Sequence, residues 1–425
     1  MSGDRVVITG AGIACSLGNT VSEIWDALCA GRCGIGAVRG FDASGFSCRV
    51  AAQVRGLTPQ ELGIAPRDAR IMDTHSYMLM KCADDAYSQA LLDRADIPRE
   101  KIGFFAGMGM VDYAVEDLLP AVLKSLDAQG RLDYDAFYST GYKEIYPLWP
   151  LSMLNNISFC QVATRLNVQG DNSVFSPHGD SAVLALAEGM QSVIEGRSTV
   201  VLAGGVSEKI TPCSLARAHL SGILSTSETE GACRPFVAER DGTVLGEGCG
   251  VVVMEREASA RERGAKILGS LTGFGFSFER EGEWTGPTAR AIARAMDGAL
   301  EAANAAPDSV DLIVAHGEGT VTGDRNESEA IDLVFGASAD AVRVFAPKAA
   351  LGHLLAGAAL ADLVLAVRMI ETGTVPGNRC APSPESAVRF RMERNATAAS
   401  LRRILVNSHS HEGQAASFIV EAVRD

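Results

Sequence analysis

The chain has 425 residues and a mass of 44.7 kDa; 47% of its residues are apolar and 21% charged, and its formal charge is −14 with a pI near 5.1. At roughly 150 residues per domain the length allows two or three domains or one large one, and the apolar share excludes wholesale disorder. The acidic balance argues against nucleic acid or an anionic membrane as main partner, no window holds the ~18 uninterrupted apolar residues of a membrane span, and the opening MSGDRVVITGAG is not a secretory leader, so a cytoplasmic protein is expected.

Taken in chain order, a strand-like run at 6–8 leads into helical periodicities at 21–30 and 75–92, then a second strand-like run at 102–106. Residues 108–160 are rich in Tyr, Leu and Asp and break the alternation, so they read as an insertion capping or lining a pocket. An apolar approach, a Pro-His-Gly-Asp turn and an apolar helix at 181–195 form a strand–elbow–helix unit over 172–196. Strands at 200–203 and 250–254 close the first half, 1–257. The charged stretch 257–264 reads as a linker to the second half, 258–425. There a helix at 288–303, a strand at 312–314, a helix at 360–371 and strands at 404–406 and 417–420 follow. Strand–helix alternation over the whole length predicts an α/β protein whose sheet is buried on both faces. The halves share a faint rhythm: a strand ending in a Gly-rich turn, a long buried helix, then a final pair of strands.

The ten cysteines, at 15, 29, 33, 48, 82, 160, 213, 233, 249 and 380, show no CxxC or Cys/His cluster with zinc spacing, and the seven histidines lack HExxH spacing. Most cysteines therefore read as small buried apolar residues. Gly10 and Gly12 follow an apolar strand, but the dinucleotide fingerprint needs a further Gly or Ala where Cys15 stands. Those glycines are expected to serve a tight turn. His316, at the end of a strand in DLIVAHGEGT, and His353 with Lys348 in APKAALGHLLAG sit in Gly-rich turns suited to acid/base or oxyanion work. Each histidine is also readable as a structural one. Asp180 and Ser181 at the elbow look like helix N-caps.

Several segments carry a family resemblance in a fixed order: VVITGAGIACSLGNTVSEIWDAL at the start, FDAS at 41–44, VVLAGGVSEKITP at 200–212, RPFVAERDGTVLGEGCG at 234–250, AHGEGTVTGDRNESEAI at 315–331 and PKAALGHLLAGAA at 347–359. Together they resemble the β-ketoacyl-acyl carrier protein synthases, the condensing enzymes of fatty acid and type II polyketide synthesis. The resemblance implies a thiolase-like, five-layered α-β-α-β-α fold with two pseudo-repeated halves, and dimers. It implies a cysteine nucleophile at the start of the buried helix, two histidines that assist decarboxylation of a malonyl carrier and stabilise an oxyanion, and a lysine. His316, His353 and Lys348 match those positions, and Glu327 matches an acidic position supporting the lysine region. Gly179 stands where the family's Thr-Ala-Cys-Ala motif places the cysteine, flanked by His178 and Asp180. The family's NSFGFGGTN gate loop reads Asn407-Ser408-His409-Ser410-His411-Glu412-Gly413-Gln414, so that His411 replaces the gating Phe.

The leading expectation is a chain-length factor (KSβ) of a type II polyketide or aryl-polyene-type synthase: a non-elongating subunit that pairs with a catalytic ketosynthase (KSα) and shapes the tunnel for chain extension by Claisen condensation with malonyl-carrier protein. The alternatives are a malonyl-carrier decarboxylase using the retained histidines and lysine, or a synthase whose nucleophile has moved to Cys160, Ser176 or Ser181. His178, Asp180, His409 and His411 are expected to converge, as a polar plug rather than a metal site. No cofactor is implied beyond the phosphopantetheine arm of the acyl carrier protein. That carrier is acidic, so it is expected to dock mainly on the ketosynthase partner.

Overall fold

The computed structural model describes residues 5–112, 115–283, 286–378, 384–385 and 387–423; Cys380 lies outside them. One ten-stranded sheet runs through the chain. Its first half holds β1 (Val6–Cys15), β2 (Ile102–Met108), β3 (Asn172–Phe175), β4 (Val200–Val206) and β5 (Gly248–Arg256). Its second half holds β6 (Gly269–Phe278), β7 (Leu312–Val314), β8 (Arg343–Phe345), β9 (Arg403–His409) and β10 (Gln414–Glu421). From the outer edge inward the first half is ordered β3-β2-β4-β5-β1 and the second β8-β7-β9-β10-β6. Counted within each half, both orders are 3-2-4-5-1. The directions repeat as well, since β2 is parallel to β3 and β4, as β7 is to β8 and β9, and each half ends on antiparallel pairings. The rhythm that is faint in sequence is thus a repeat of topology. The halves join where Val6–Ile8 of β1 pairs with residues 269–271 of β6.

The helices complete five layers. Ten of them, in chain order, are α1 (Val21–Cys29), α2 (Thr74–Gln89), α3 (Val115–Lys124), α4 (Tyr134–Ser139), α5 (Asn155–Leu166), α6 (Ser181–Ile194), α7 (Pro212–Leu220), α8 (Ala289–Ala302), α9 (Val321–Phe335) and α10 (Ala358–Thr372), with further short ones at Trp149–Ser152, Glu257–Glu262 and Lys348–Leu351. One outer layer, α2 and α5, covers the first half, where Phe159 stacks on Phe104 at 4.2 Å. The other, α8 and α9, covers the second half. Between the halves lie α6 and α10. A helix in the middle layer has no wet side, and α10 is accordingly buried on nearly every turn, from Ala358 through Val367. By contrast α8 hides only Ala291, Ile292, Ala295, Met296 and Ala299, one stripe at helical spacing, with the adjoining Ala293 and Leu300.

Glycines in the strands set how closely these helices approach. A β-carbon on Gly107 would stand 2.3 Å from the Ala182 nitrogen, and one on Gly250 would stand 2.4 Å from the Ala361 nitrogen. Both central helices therefore rest directly on sheet backbone, which fixes the start of α6. Gly10 and Gly12 act in the same way, and this corrects the expectation of a turn. They lie inside β1, where β-carbons would meet the carbonyl oxygens of Ala86 and Cys82 in α2, each at 2.1 Å. The insertion also ends earlier than expected, because α5 already belongs to the outer layer from Asn155 onward.

Candidate functional site

The elbow before α6 is closed by backbone. Ser181 N–H donates to the His178 carbonyl at 3.1 Å and Val183 N–H to the Asp180 carbonyl at 2.9 Å. Asp180 makes no side-chain capping bond, contrary to expectation, because these carbonyls already satisfy the helix entry. Its carboxyl is buried, and burial raises its pKa above the usual range. The end of β9 lies across Gly179. Ser408 Oγ donates to the Gly179 carbonyl at 3.1 Å, and a β-carbon on Gly179 would stand 2.6 Å from the His409 carbonyl oxygen.

Beside the elbow, the turn after β7 presents His316, and α9 holds that turn in place. Glu327 accepts the backbone N–H of His316 at 2.8 Å and of Gly317 at 2.7 Å, and the Asn407 amide at 2.9 Å. The Lys348 ammonium donates to the His316 carbonyl at 2.5 Å. Glu327 and Lys348 thus both hold the His316 turn, one through its N–H groups and the other through its carbonyl. His353, after the helical turn Lys348–Leu351, faces His316 edge to face, with ring centroids 5.0 Å apart. The elements therefore bring His316, Lys348, His353, Glu327 and Gly179 together.

The hydrogen bonds fix the tautomers of both rings. His316 Nδ1 accepts the His409 N–H at 3.0 Å, and His353 Nδ1 accepts the Leu355 N–H at 3.2 Å. Each neutral ring then carries its proton on Nε2. Burial, reinforced by the nearby Lys348 cation, holds both histidines well below the usual imidazole range, so they are neutral donors at pH 7. Both Nε2 atoms face one carboxylate: Glu318 Oε2 lies 3.4 Å from His316 Nε2 and 3.9 Å from His353 Nε2.

Glu318 was not singled out by the sequence reading. Its signal is its place two residues past His316 within the same Gly-rich turn. Among the described residues, His316, Glu318 and His353 have ligand atoms within 4.8 Å of one another. The surroundings do not suit a metal ion, which needs a lone pair on each Nε2 and hence a proton on each Nδ1. Those Nδ1 atoms are met by N–H donors rather than acceptors.

The four-residue polar cluster expected at the elbow is only partly assembled. Glu412 is its hub. Its Oε1 lies 2.9 Å from His411 Nε2 and 3.1 Å from His178 Nδ1, while Ser410 Oγ donates to Oε2. Contact with Glu412 raises the His411 pKa. His409 instead lies against the His316 ring at 4.7 Å, its pKa lowered by burial, while Asp180 feels the charges of His178 and Glu412 from the elbow. His178, His409, His411 and Glu412 border a cleft of about 310 Å³ that also meets Met110, Gly179, Arg217 and His353. On its wall Arg217 bridges Asp112, at 2.5 Å, and Glu208. Behind that ion pair lies a second cavity of about 700 Å³, lined by Phe41, Val54, Lys209, Ile210 and others. Arg217 and Asp112 lie outside the motif segments, and Glu208 falls within VVLAGGVSEKITP with no role attached to it there.

Two topologically identical halves, with a helix elbow and a histidine pair at their meeting point, define a thiolase-like ketosynthase fold. Residues 3–260 match the family described as "Beta-ketoacyl synthase, N-terminal domain", and residues 268–380 match "Beta-ketoacyl synthase, C-terminal domain". Curated relatives named 3-oxoacyl-[acyl-carrier-protein] synthase 2 include one from Coxiella burnetii, 29% identical over 99% of each chain. Another from Synechocystis is 30% identical over 90% of this chain and 89% of the relative. Among solved structures, a β-ketoacyl synthase from Burkholderia phymatum superposes with a TM-score of 0.86 at 25% identity, over 99% of this chain and 100% of that one. A type II polyketide synthase acyl-carrier protein in complex with its ketosynthase gives 0.83 at 25% over the same shares. The ishigamide ketosynthase/chain length factor gives 0.84 at 24%, again over 99% and 100%, a likeness of fold. The chain belongs to the beta-ketoacyl synthase family.

Proposed function

We propose that this chain is a non-elongating ketosynthase-like subunit, a chain-length factor in kind. It pairs with a catalytic ketosynthase and supplies wall to the tunnel in which that partner extends a chain from malonyl units on an acyl carrier protein. The observation that carries the reading is the closed elbow. The position matching the family nucleophile is Gly179, and the His409 carbonyl occupies the space a thiol-bearing side chain would need. None of the substitutes takes over: among the described residues that line the cleft, Cys160, Ser176 and Ser181 do not figure. Cys160 is exposed on the outer helix α5, and Ser176 Oγ accepts the Asn155 amide at 2.5 Å.

The decarboxylase alternative loses support at Glu318. A malonyl carboxylate entering between the two imidazoles would meet another carboxylate already there. The partner reading gains from the insertion, where Leu119, Leu123, Tyr134, Tyr138, Tyr142 and Tyr146 are all exposed, an apolar row of the kind that marks an interaction face. The two cavities meeting at the Asp112–Arg217 pair fit a tunnel whose walls, rather than chemistry at residue 179, set product length. The phosphopantetheine arm arrives on the carrier, which docks mainly on the partner. The test is co-expression with ketosynthases encoded beside its gene, then mass determination. A 1:1 heterodimer whose elongation needs both chains is expected; a chain that elongates malonyl units by itself overturns the reading.

A further inference from the structure

Glu318 sits in a prepared place. Its Oε1 accepts the Thr320 hydroxyl at 2.6 Å, and Oε2 faces the two imidazole N–H groups. Room for it comes from Gly323, where a β-carbon would stand 2.4 Å from Glu318 Oε1 and 2.5 Å from Thr320 Oγ1. The backbone supplies the rest of the arrangement, because Leu355 N–H and His409 N–H hold both imidazoles in the tautomer whose remaining proton points at this carboxylate. The space left beside His316, Glu318 and His409 is only about 10 Å³, no more than one water needs. Two N–H donors converging on one oxygen form a receptor for an anionic oxygen, and here the receptor is filled by the chain itself.

We propose that Glu318 is a built-in counter-ligand that closes the His316–His353 pair to external carboxylates and thioester oxyanions. It thereby sets what this subunit cannot accept. The proposal rests on the reading of the histidine pair as a site kept without elongating chemistry, and it deepens that reading: the chain lacks its nucleophile and also shields its remaining donors. A substrate presented to the heterodimer then has one competent set of donors, the partner's.

The test uses the isolated full chain, so failure to pair with a ketosynthase does not bear on it. Malonate is titrated into wild type and Glu318→Ala by calorimetry, with histidine side-chain NMR as the site readout and malonamide as the neutral control. The expected result is no saturable binding to wild type and malonate binding at least tenfold tighter to Glu318→Ala. That binding should perturb the His316 and His353 signals, be absent for malonamide, and disappear when His353→Ala is added. If Glu318→Ala does not fold, Glu318→Gln keeps the shape and removes the charge, and should still bind malonate more tightly than wild type. Equal binding by wild type and a folded variant, or no binding by a folded variant, overturns the proposal.

Discussion

At position 179 the His409 carbonyl oxygen lies 2.6 Å from where a β-carbon would stand, while Ser408 Oγ ties β9 to the same residue through the Gly179 carbonyl. Restoring a cysteine there is therefore not a repair. Gly179→Cys forces β9 or the elbow to move, an overpacking strain of about 1–3 kcal/mol. The expected outcome is a lower midpoint in denaturant unfolding and no acyl adduct by intact mass after incubation with a carrier protein loaded with an acyl thioester. A fully stable, acylated variant would show that the elbow opens freely. A second residue carries a pH signature. Asp362, in the central helix, is buried with Oδ2 unpartnered, and burial pushes its pKa from 3.8 up to about 7. The folded chain thus holds a proton that the unfolded chain releases near pH 4. Its contribution to stability is full below about pH 4 and is lost as the pH climbs to about 7, at up to ~1.4 kcal/mol per pH unit. Asp362→Asn should be more stable than wild type at pH 7, by on the order of 1–4 kcal/mol, and nearly equal to it at pH 4. Unfolding curves at the two pH values check this, and equal differences at both would remove Asp362 as the cause.

Among the elements, the insertion makes the sharpest claim. Leu123 on α3 is 59% exposed and Tyr138 on α4 is 71% exposed, so neither holds the fold together. Leu123→Asp and Tyr138→Asp should change monomer stability by no more than about 0.5 kcal/mol, yet weaken capture of the ketosynthase partner at least tenfold in a pull-down titration. Unchanged capture would move the interface elsewhere. Which elements were legible follows from where their signals come from. Helices with one long apolar stripe, such as α8, and apolar strands such as β4 announce themselves by periodicity. The strand β6, GSLTGFGFSF, does not, because glycine weakens strand propensity. Gly273 and Gly275 are there to admit the α8 backbone, and their β-carbons would lie 2.2 Å and 1.9 Å from its carbonyl oxygens. His316, His353, Lys348 and the Gly179 elbow were readable by motif. Glu318 was not, because a carboxylate in a turn means little until the fold brings His353 to it. Residue type likewise suggested Asp180 as a cap, where the backbone alone does that work.

For the whole molecule, repeated topology places two histidines, an elbow and the hairpin between β9 and β10 at the meeting point of the halves, and on the proposed reading the departures there remove the chemistry while leaving the architecture. Gly179 stands at the motif's cysteine position, the His409 carbonyl fills the space beside it, the histidine N–H groups face an internal carboxylate, and the loop over the cleft carries His411 and Glu412. The same buried histidines tie stability to acid in the opposite sense to Asp362. Their folded pKa values lie well below 6.5, so the unfolded chain takes up more protons and stability falls as the pH drops below about 6.5. The ketosynthase fold here carries exposed Leu and Tyr side chains on the insertion and two cavities on either side of the Asp112–Arg217 pair. The most direct measurement is intact-mass analysis of both subunits after the purified heterodimer turns over malonyl-carrier protein. Acyl mass on the ketosynthase alone, with this chain unmodified throughout, is the expected result; acyl mass on this chain would contradict the claim that it contributes walls and not chemistry.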